Sequence, residues 1–134
     1  MGLMRSIGYL FDTNIAIGMV DSDEGILEFI KQASRDKLKI YFSVVTECEF
    51  ISGLSSEHEA QSIKFLNSGR FLEVNSSIAR VAGNIRREQR FKRRKLKTPD
   101  ALIIATAIKH GLILVSRDKD MDIAEEYNVR IIKL

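Results

Sequence analysis

The chain holds a single cysteine, Cys48, and two histidines, His58 and His110. One cysteine excludes an internal disulfide, and the simplest setting for such a chain is intracellular, in the cytoplasm. So few thiols and imidazoles also exclude the sulfur and nitrogen constellations that hold zinc. Nowhere does an apolar run approach the roughly 20 residues needed to span a bilayer, so no membrane segment is expected. The opening residues Met1–Ser6 are too short, and too soon interrupted by Arg5, for a secretion signal. Repeats, low-complexity tracts and linkers are absent as well, which makes one domain over residues 1–134 the expectation.

What is present suits a packed protein. Hydrophobic residues make up 45% of the 134 and charged residues 29%, a globular balance rather than a disordered one. The net charge of +3 is unevenly spread. Between Arg86 and Lys97 eight basic residues stand against one acid, Glu88, a net of +7 that leaves −4 on the remainder. A positive strip on an acidic body is the footprint of a polyanion binder; a solvated helix face followed by a charged loop is the plainer explanation.

Apolar patterning alternates between two periods. Tyr9-Leu10-Phe11 is too short for a helix and reads as a buried strand. Ile26, Phe29, Ile30 and Ala33 recur at helical spacing behind Asp23, a capping residue. Lys39 to Val45 is β-branched and aromatic, hence a second strand. Thr46 to Leu54 is expected to be helical and to stop near Gly53. Ser56-x-x-Glu59 has the form of a capping box opening another helix. Phe71 to Val74 reads as a third strand, and Ile78, Val81, Ala82 and Ile85 as a helix leading into the basic strip.

Thr98-Pro99 then has the grammar of a helix start, a capping hydroxyl followed by proline at the first helical position. Ala101 to Ile108 is apolar almost all round, which marks a central helix ended by Gly111. Leu112 to Ser116 is a fourth strand, Ile123, Ala124 and Tyr127 suggest a short helix, and Val129 to Ile132 a last strand. Strands and helices in alternation predict an α/β fold, a three-layer sandwich with a mostly parallel central sheet.

In such a sheet, ligands collect at the carboxyl ends of the strands. Asp12 follows strand one, Glu47 and Glu49 follow strand two, and Asp118 lies two residues beyond strand four. Asp100 stands in the first turn of a helix running antiparallel to the strand after it, which brings it to the same edge. Each acid has a duller explanation: Asp12 as the cap of the next helix, since Asp-Thr-Asn is turn chemistry, Asp100 as an acid at the positive end of a helix dipole, Asp118 as a turn residue in the charged run Arg117-Asp118-Lys119-Asp120. Their joint fall on one rim favours the other explanation. Carboxylates crowded there would repel and raise each other's pKa unless a cation were present, and hard divalent ions such as Mg²⁺ or Mn²⁺ prefer all-oxygen ligands.

These residues resemble the signature motifs of the PIN-domain nucleases. The likeness is carried by Phe11-Asp12-Thr13-Asn14, by the run from Ser43 to Gly53, by Pro99-Asp100-Ala101-Leu102-Ile103-Ile104-Ala105-Thr106-Ala107 and by Leu114-Val115-Ser116-Arg117-Asp118. In length and layout it is nearest to the VapC class of toxin–antitoxin ribonucleases. The resemblance implies a Mg²⁺- or Mn²⁺-dependent endoribonuclease that leaves 5′-phosphate and 3′-hydroxyl ends on RNA. It also implies a homodimer held inactive by a VapB-type antitoxin. By position Asp12, Asp100 and Asp118 match metal ligands, Glu49 the acid of the second motif, and Thr13, Asn14 and Ser116 the supporting polar residues.

Two points stay open at this level. Glu47 and Glu49 lie about 200° apart on a helix and cannot share a face. The apolar stripe of Cys48, Phe50, Ile51 and Leu54 is centred near Glu47, so periodicity alone does not choose Glu49. The basic strip is longer than the family pattern requires, so three alternatives stand for Arg86, Arg87 and Arg90: a grip on RNA phosphates, a place in the antitoxin interface, or neither. Among rivals, a phosphotransfer receiver module needs paired acids after strand one and an aspartate after strand three, where Val74-Asn75-Ser76 stands. A haloacid-dehalogenase-type phosphatase needs a second aspartate where Asn14 stands. A non-catalytic RNA-binding or interaction domain of the same fold explains the strip but not the retained acids.

Overall fold

The computed structural model describes residues 8–134; the Met1–Ser6 segment discussed above lies outside them. The elements run β1 (Gly8–Phe11), α1 (Thr13–Val20), α2 (Glu24–Arg35), β2 (Lys39–Ser43), α3 (Val44–Ser52) and α4 (Glu59–Ser68). They continue with β3 (Phe71–Leu72), α5 (Ser76–Phe91), α6 (Thr98–His110), β4 (Ile113–Ser116), a 3₁₀ helix (Lys119–Tyr127) and β5 (Ile131–Lys133). The five strands form one sheet in the order β3-β2-β1-β4-β5, and every pairing is parallel. No helix among the described residues is long and apolar enough to cross a membrane.

Alternation along the central strands divides the core in two, because successive side chains leave a strand on opposite faces. Leu10 and Leu114 join Ile78, Ile85, Ile103, Ile104 and Met121 beneath α5 and α6. Phe11 and Val115 join Ile15, Ile26, Phe42, Phe50 and Phe65 on the other face. Helices therefore cover both faces, and the α/β sandwich expected from the sequence is the architecture observed. The second half-core is aromatic: Phe42 meets Phe11 and Phe65 edge-on, with ring centroids 5.7 and 4.7 Å away.

Several boundaries differ from the pattern-based expectation, each for a local reason. Strand two ends at Ser43, not Val45, because the Ser43 hydroxyl accepts from Val45 N–H (3.0 Å) and opens α3 there. The Ser56-x-x-Glu59 box does not form: α4 starts behind His58 with no side-chain cap. Lys97 rather than Thr98 is the cap residue of α6, so Pro99 falls within the first turn. Strand three is two residues long, and α1 was not anticipated as a helix. Gly111, in the left-handed region at φ 63°, ends α6 with Leu112 N–H donating back to Ala107 (3.0 Å).

Strand order reverses between β1 and β4. Chain connections leave β1 toward β2 and β3 on one side, and leave β4 toward β5 on the other, which opens a crevice at the carboxyl ends of these two strands.

The aromatic half-core yields a stability test. Phe42 is 5% exposed and touches three other rings. Phe42→Ala is expected to lower the unfolding free energy by about 3–5 kcal/mol, read from urea denaturation. A loss below about 1 kcal/mol would show that the neighbouring rings collapse into the space.

Candidate active site

The crevice is lined from four directions. Asp12 follows β1 and caps α1, Asp118 follows β4 and caps the 3₁₀ helix, Asp100 stands in the first turn of α6, and Glu49 rises from α3.

Asp12 is the buried member, 4% exposed. Ser116 Oγ, itself fully buried, donates to Asp12 Oδ2 (2.7 Å), and Thr13 N–H donates to Oδ1 (2.8 Å). Asn14 Nδ2 approaches Oδ2 at 3.4 Å, and its carbonyl accepts from Arg117 N–H (3.2 Å). Burial pushes the Asp12 carboxyl above its ordinary value; the Ser116 and Thr13 hydrogen bonds pull it back, and the charges of Asp118 and Glu49 push it up again.

Thr13 settles the geometry of the second acid. Its hydroxyl donates to Glu49 Oε1 (2.6 Å), and because a hydroxyl has one proton, the Thr46 hydroxyl at 2.9 Å must donate to Thr13. Thr46 and Glu49, three residues apart, thus share the face of α3 turned to α1. The apolar stripe inferred from periodicity is not the buried one. Phe50 is buried, but Cys48, Ile51 and Leu54 are exposed, because α3 turns Val45, Thr46 and Phe50 inward rather than that stripe. Glu47 is half-buried, away from this contact.

Across the crevice, Asp100, Asp118 and Asp120 each bring one carboxylate oxygen within 4.8 Å of the other two. Ser116 Oγ accepts from Asp118 N–H (3.0 Å), and Asp118 Oδ1 accepts from Asp120 N–H (2.9 Å), so a tight turn turns both acids toward the same point. Burial and the neighbouring Asp12 and Asp118 charges push Asp100 from 3.8 to about 6, against the pull of Lys97. Asp120 is the residue that pattern reading left in the charged run; its spacing of two from Asp118 in a helix-opening turn is the only signal in the sequence. The donor set is all oxygen, which fits a hard divalent ion and not zinc. Arg86, Arg87 and Arg90 are exposed on α5 and line a different hollow.

Fold and rim together define a parallel α/β protein with an acidic crevice at its topological switch point. Within that class, the sequence profile described as PIN domain matches residues 9–126, and the chain belongs to the PIN domain family. Comparison with curated proteins gives no match. Among solved structures it is similar to one of VapBC2 from Rickettsia felis bound to a promoter DNA fragment: 16% identity, 94% of this chain and 98% of that one, TM-score 0.79. A DNA-bound VapBC from Salmonella typhimurium gives 22% identity, coverages of 95% and 98%, and TM-score 0.74. A toxin–antitoxin complex from Klebsiella pneumoniae is 28% identical over 86% of this chain and 91% of that one, with TM-score 0.66.

The raised Asp100 pKa makes a pH prediction for chelator-treated protein. Between about 4 and 6 the folded state holds a proton that the unfolded state has released, so stability falls as pH rises through that window. Asp100→Asn is expected to raise the Tm at neutral pH and to give no gain at pH values below the ordinary carboxylate range. A gain of equal size at both ends, by calorimetry, would remove the charge explanation.

Proposed function

We propose that the chain is a metal-dependent endoribonuclease, the toxin of a toxin–antitoxin pair, working over its whole length as one PIN-like nuclease domain in the cytoplasm. The observation that carries this reading is the convergence of Asp100, Asp118 and Asp120 within 4.8 Å beside the buried Asp12. Membership of the PIN domain family supports it, as do the structural similarities to toxin–antitoxin complexes.

Asp100, Asp118 and Asp120 would hold a Mg²⁺ or Mn²⁺ ion, with Asp12 as the ligand behind them. When bound, the ion supplies Lewis acidity at a phosphate oxygen and a more acidic water. The chain's own residues do the rest. The Ser116 and Thr13 hydrogen bonds favour the charged form of Asp12 against the burial that raises its pKa. Thr13 fixes one Glu49 oxygen and leaves the other free to accept a proton at the crevice. Asn14 ties the β4 turn to α1 through Arg117 N–H, which keeps the two halves of the crevice in register. Lys97, close enough to lower the Asp100 pKa, offers a counter-charge to an incoming phosphate.

The antitoxin partner follows from the same relatives. A hollow of about 200 Å³ lined by Ile17, Val20, Phe50 and Gly53 opens beside Glu49, and Ile17 is 47% exposed. A VapB-type segment laid there would cover apolar surface and reach the acids at once, consistent with an inhibited homodimer.

The test is cleavage of a mixed single-stranded RNA pool by purified protein in Mn²⁺, Mg²⁺ or EDTA, beside Asp100→Asn and Asp120→Asn. Fragments are expected with either metal, none with EDTA, and a loss of at least about a hundredfold in each variant, the scale on which groups stabilising transition-state charge act. Full activity of Asp100→Asn, or cleavage indifferent to chelator, overturns the proposal.

A further inference from the structure

The basic strip is not a uniform charged surface, because the fold sorts its cations. Arg86 Nε donates to the Leu96 carbonyl (2.9 Å) and so anchors the loop between α5 and α6. Lys92 and Arg94 both pair with Glu126, holding its carboxyl down to about 2. Arg87, Arg90, Arg93 and Lys95 form no ion pair among the described residues. These line a groove of about 330 Å³ whose floor is Gly83 and the Arg86 stem.

Helical spacing builds one wall, since Gly83, Arg86, Arg87 and Arg90 fall at i, i+3, i+4 and i+7 on α5. The other wall is the turn after α5. Arg93 lies in the left-handed region at φ 59°, and Arg94 N–H donates back to Gln89 (2.9 Å), so the chain folds over the helix end.

Two further observations give the groove a direction and a ligand. Arg94, Lys95 and Leu96 line both this groove and a second hollow that contains Lys119 and Asp120, so the two hollows share a wall and the second reaches the acidic cluster. Next to the groove-lining Arg87, Phe91 is 78% exposed, with the Arg87 guanidinium 5.9 Å from its ring centre. An exposed ring against an arginine that lines a cationic groove is the combination that binds single strands: cations follow the phosphates and the ring stacks a base. A duplex would hide its bases from Phe91.

We propose that this groove holds single-stranded RNA on one side of the cut, with Arg87, Arg90, Arg93 and Lys95 on successive phosphates and Phe91 under an unpaired base. The proposal rests on the nuclease reading and names the path its substrate takes.

The test is fluorescence anisotropy with an unstructured single-stranded RNA oligonucleotide and full-length protein in EDTA, where binding is read apart from cleavage, across a salt series. Three variants probe the groove without removing a buried contact. Arg93→Gly suits the left-handed backbone and is combined with Arg90→Gln. Gly83→Glu places a carboxylate on the floor, where an added Cβ meets no atom within 4 Å. Phe91→Ala removes the ring.

Wild type is expected to bind with a steep salt dependence. The Arg90/Arg93 double variant should bind at least about tenfold more weakly, with a log–log salt slope shallower by about 1.4, two single-strand phosphate contacts. Gly83→Glu should weaken binding as well. Phe91→Ala should cost about fivefold or more on the single strand, with its slope unchanged and little effect on a duplex of equal length. Absent wild-type binding, or affinity and slope unchanged in the double variant and Gly83→Glu, overturns the inference. A shift of oligomeric state in light scattering with RNA affinity intact also overturns it, by assigning the groove to a protein interface. If wild type binds through the groove but does not cleave with Mn²⁺, the nuclease reading fails and the groove stands. Cleavage by wild type with groove variants indistinguishable from it overturns the groove alone.

Discussion

A carboxylate placed between two central strands is costly to bury as an ion, and Asp12 is tolerated because donors meet it from two elements. The Ser116 hydroxyl comes from β4 and the Thr13 N–H from the start of α1. That pair of hydrogen bonds fixes the rest of the crevice. The Ser116 oxygen that donates to Asp12 also accepts from Asp118 N–H, which orients the turn carrying Asp118 and Asp120. Thr13, whose N–H Asp12 accepts at the start of α1, also presents its hydroxyl to Glu49. One buried charge thus positions acids on two sides of the sheet, and its repulsion is felt by Asp100, which no hydrogen bond stabilises in the same way.

The outer features follow from the same sheet edge. Because strand order reverses at β1 and β4, the helices that start there, α1 and α6, aim their first turns at one point. The loop that delivers the chain to α6 is the basic one, so cations arrive next to the acids through covalent connectivity rather than long-range folding. Glu126 divides those cations by binding Lys92 and Arg94 and leaving their neighbours unpaired. An acidic site and a cationic groove can then adjoin without cancelling each other.

Much of this was legible in the sequence, and the exceptions have physical causes. Helical spacing located α2 and α5, the Thr98-Pro99 start and an almost wholly apolar run located α6, and short apolar runs located β2 and β4. α1 escaped because Thr13–Val20 is short, apolar on most sides and interrupted by Gly18, so neither period is visible. Val44 and Val45 read as strand because branched side chains favour one, yet the Ser43 cap outweighs that preference. At the rim, topology alone brought Asp12, Asp100 and Asp118 to one edge. The choice between Glu47 and Glu49 was not available from periodicity, since the contact that distinguishes them is a polar one to Thr13, thirty-six residues away. Asp120 was hidden because a charged turn and a cluster of acids look alike until the turn's backbone is known.

The Ser116–Asp12 bond joins residues 104 positions apart. During synthesis Asp12 emerges early, but its partner follows only after α5, the basic loop and α6 have been made. A chain interrupted between α3 and β4 contains the first two acidic motifs and the Thr13 contacts that join them, but not the Ser116 hydroxyl that ties Asp12 to the Asp118 turn. The crevice is therefore assembled only once β4 and the turn after it have been made.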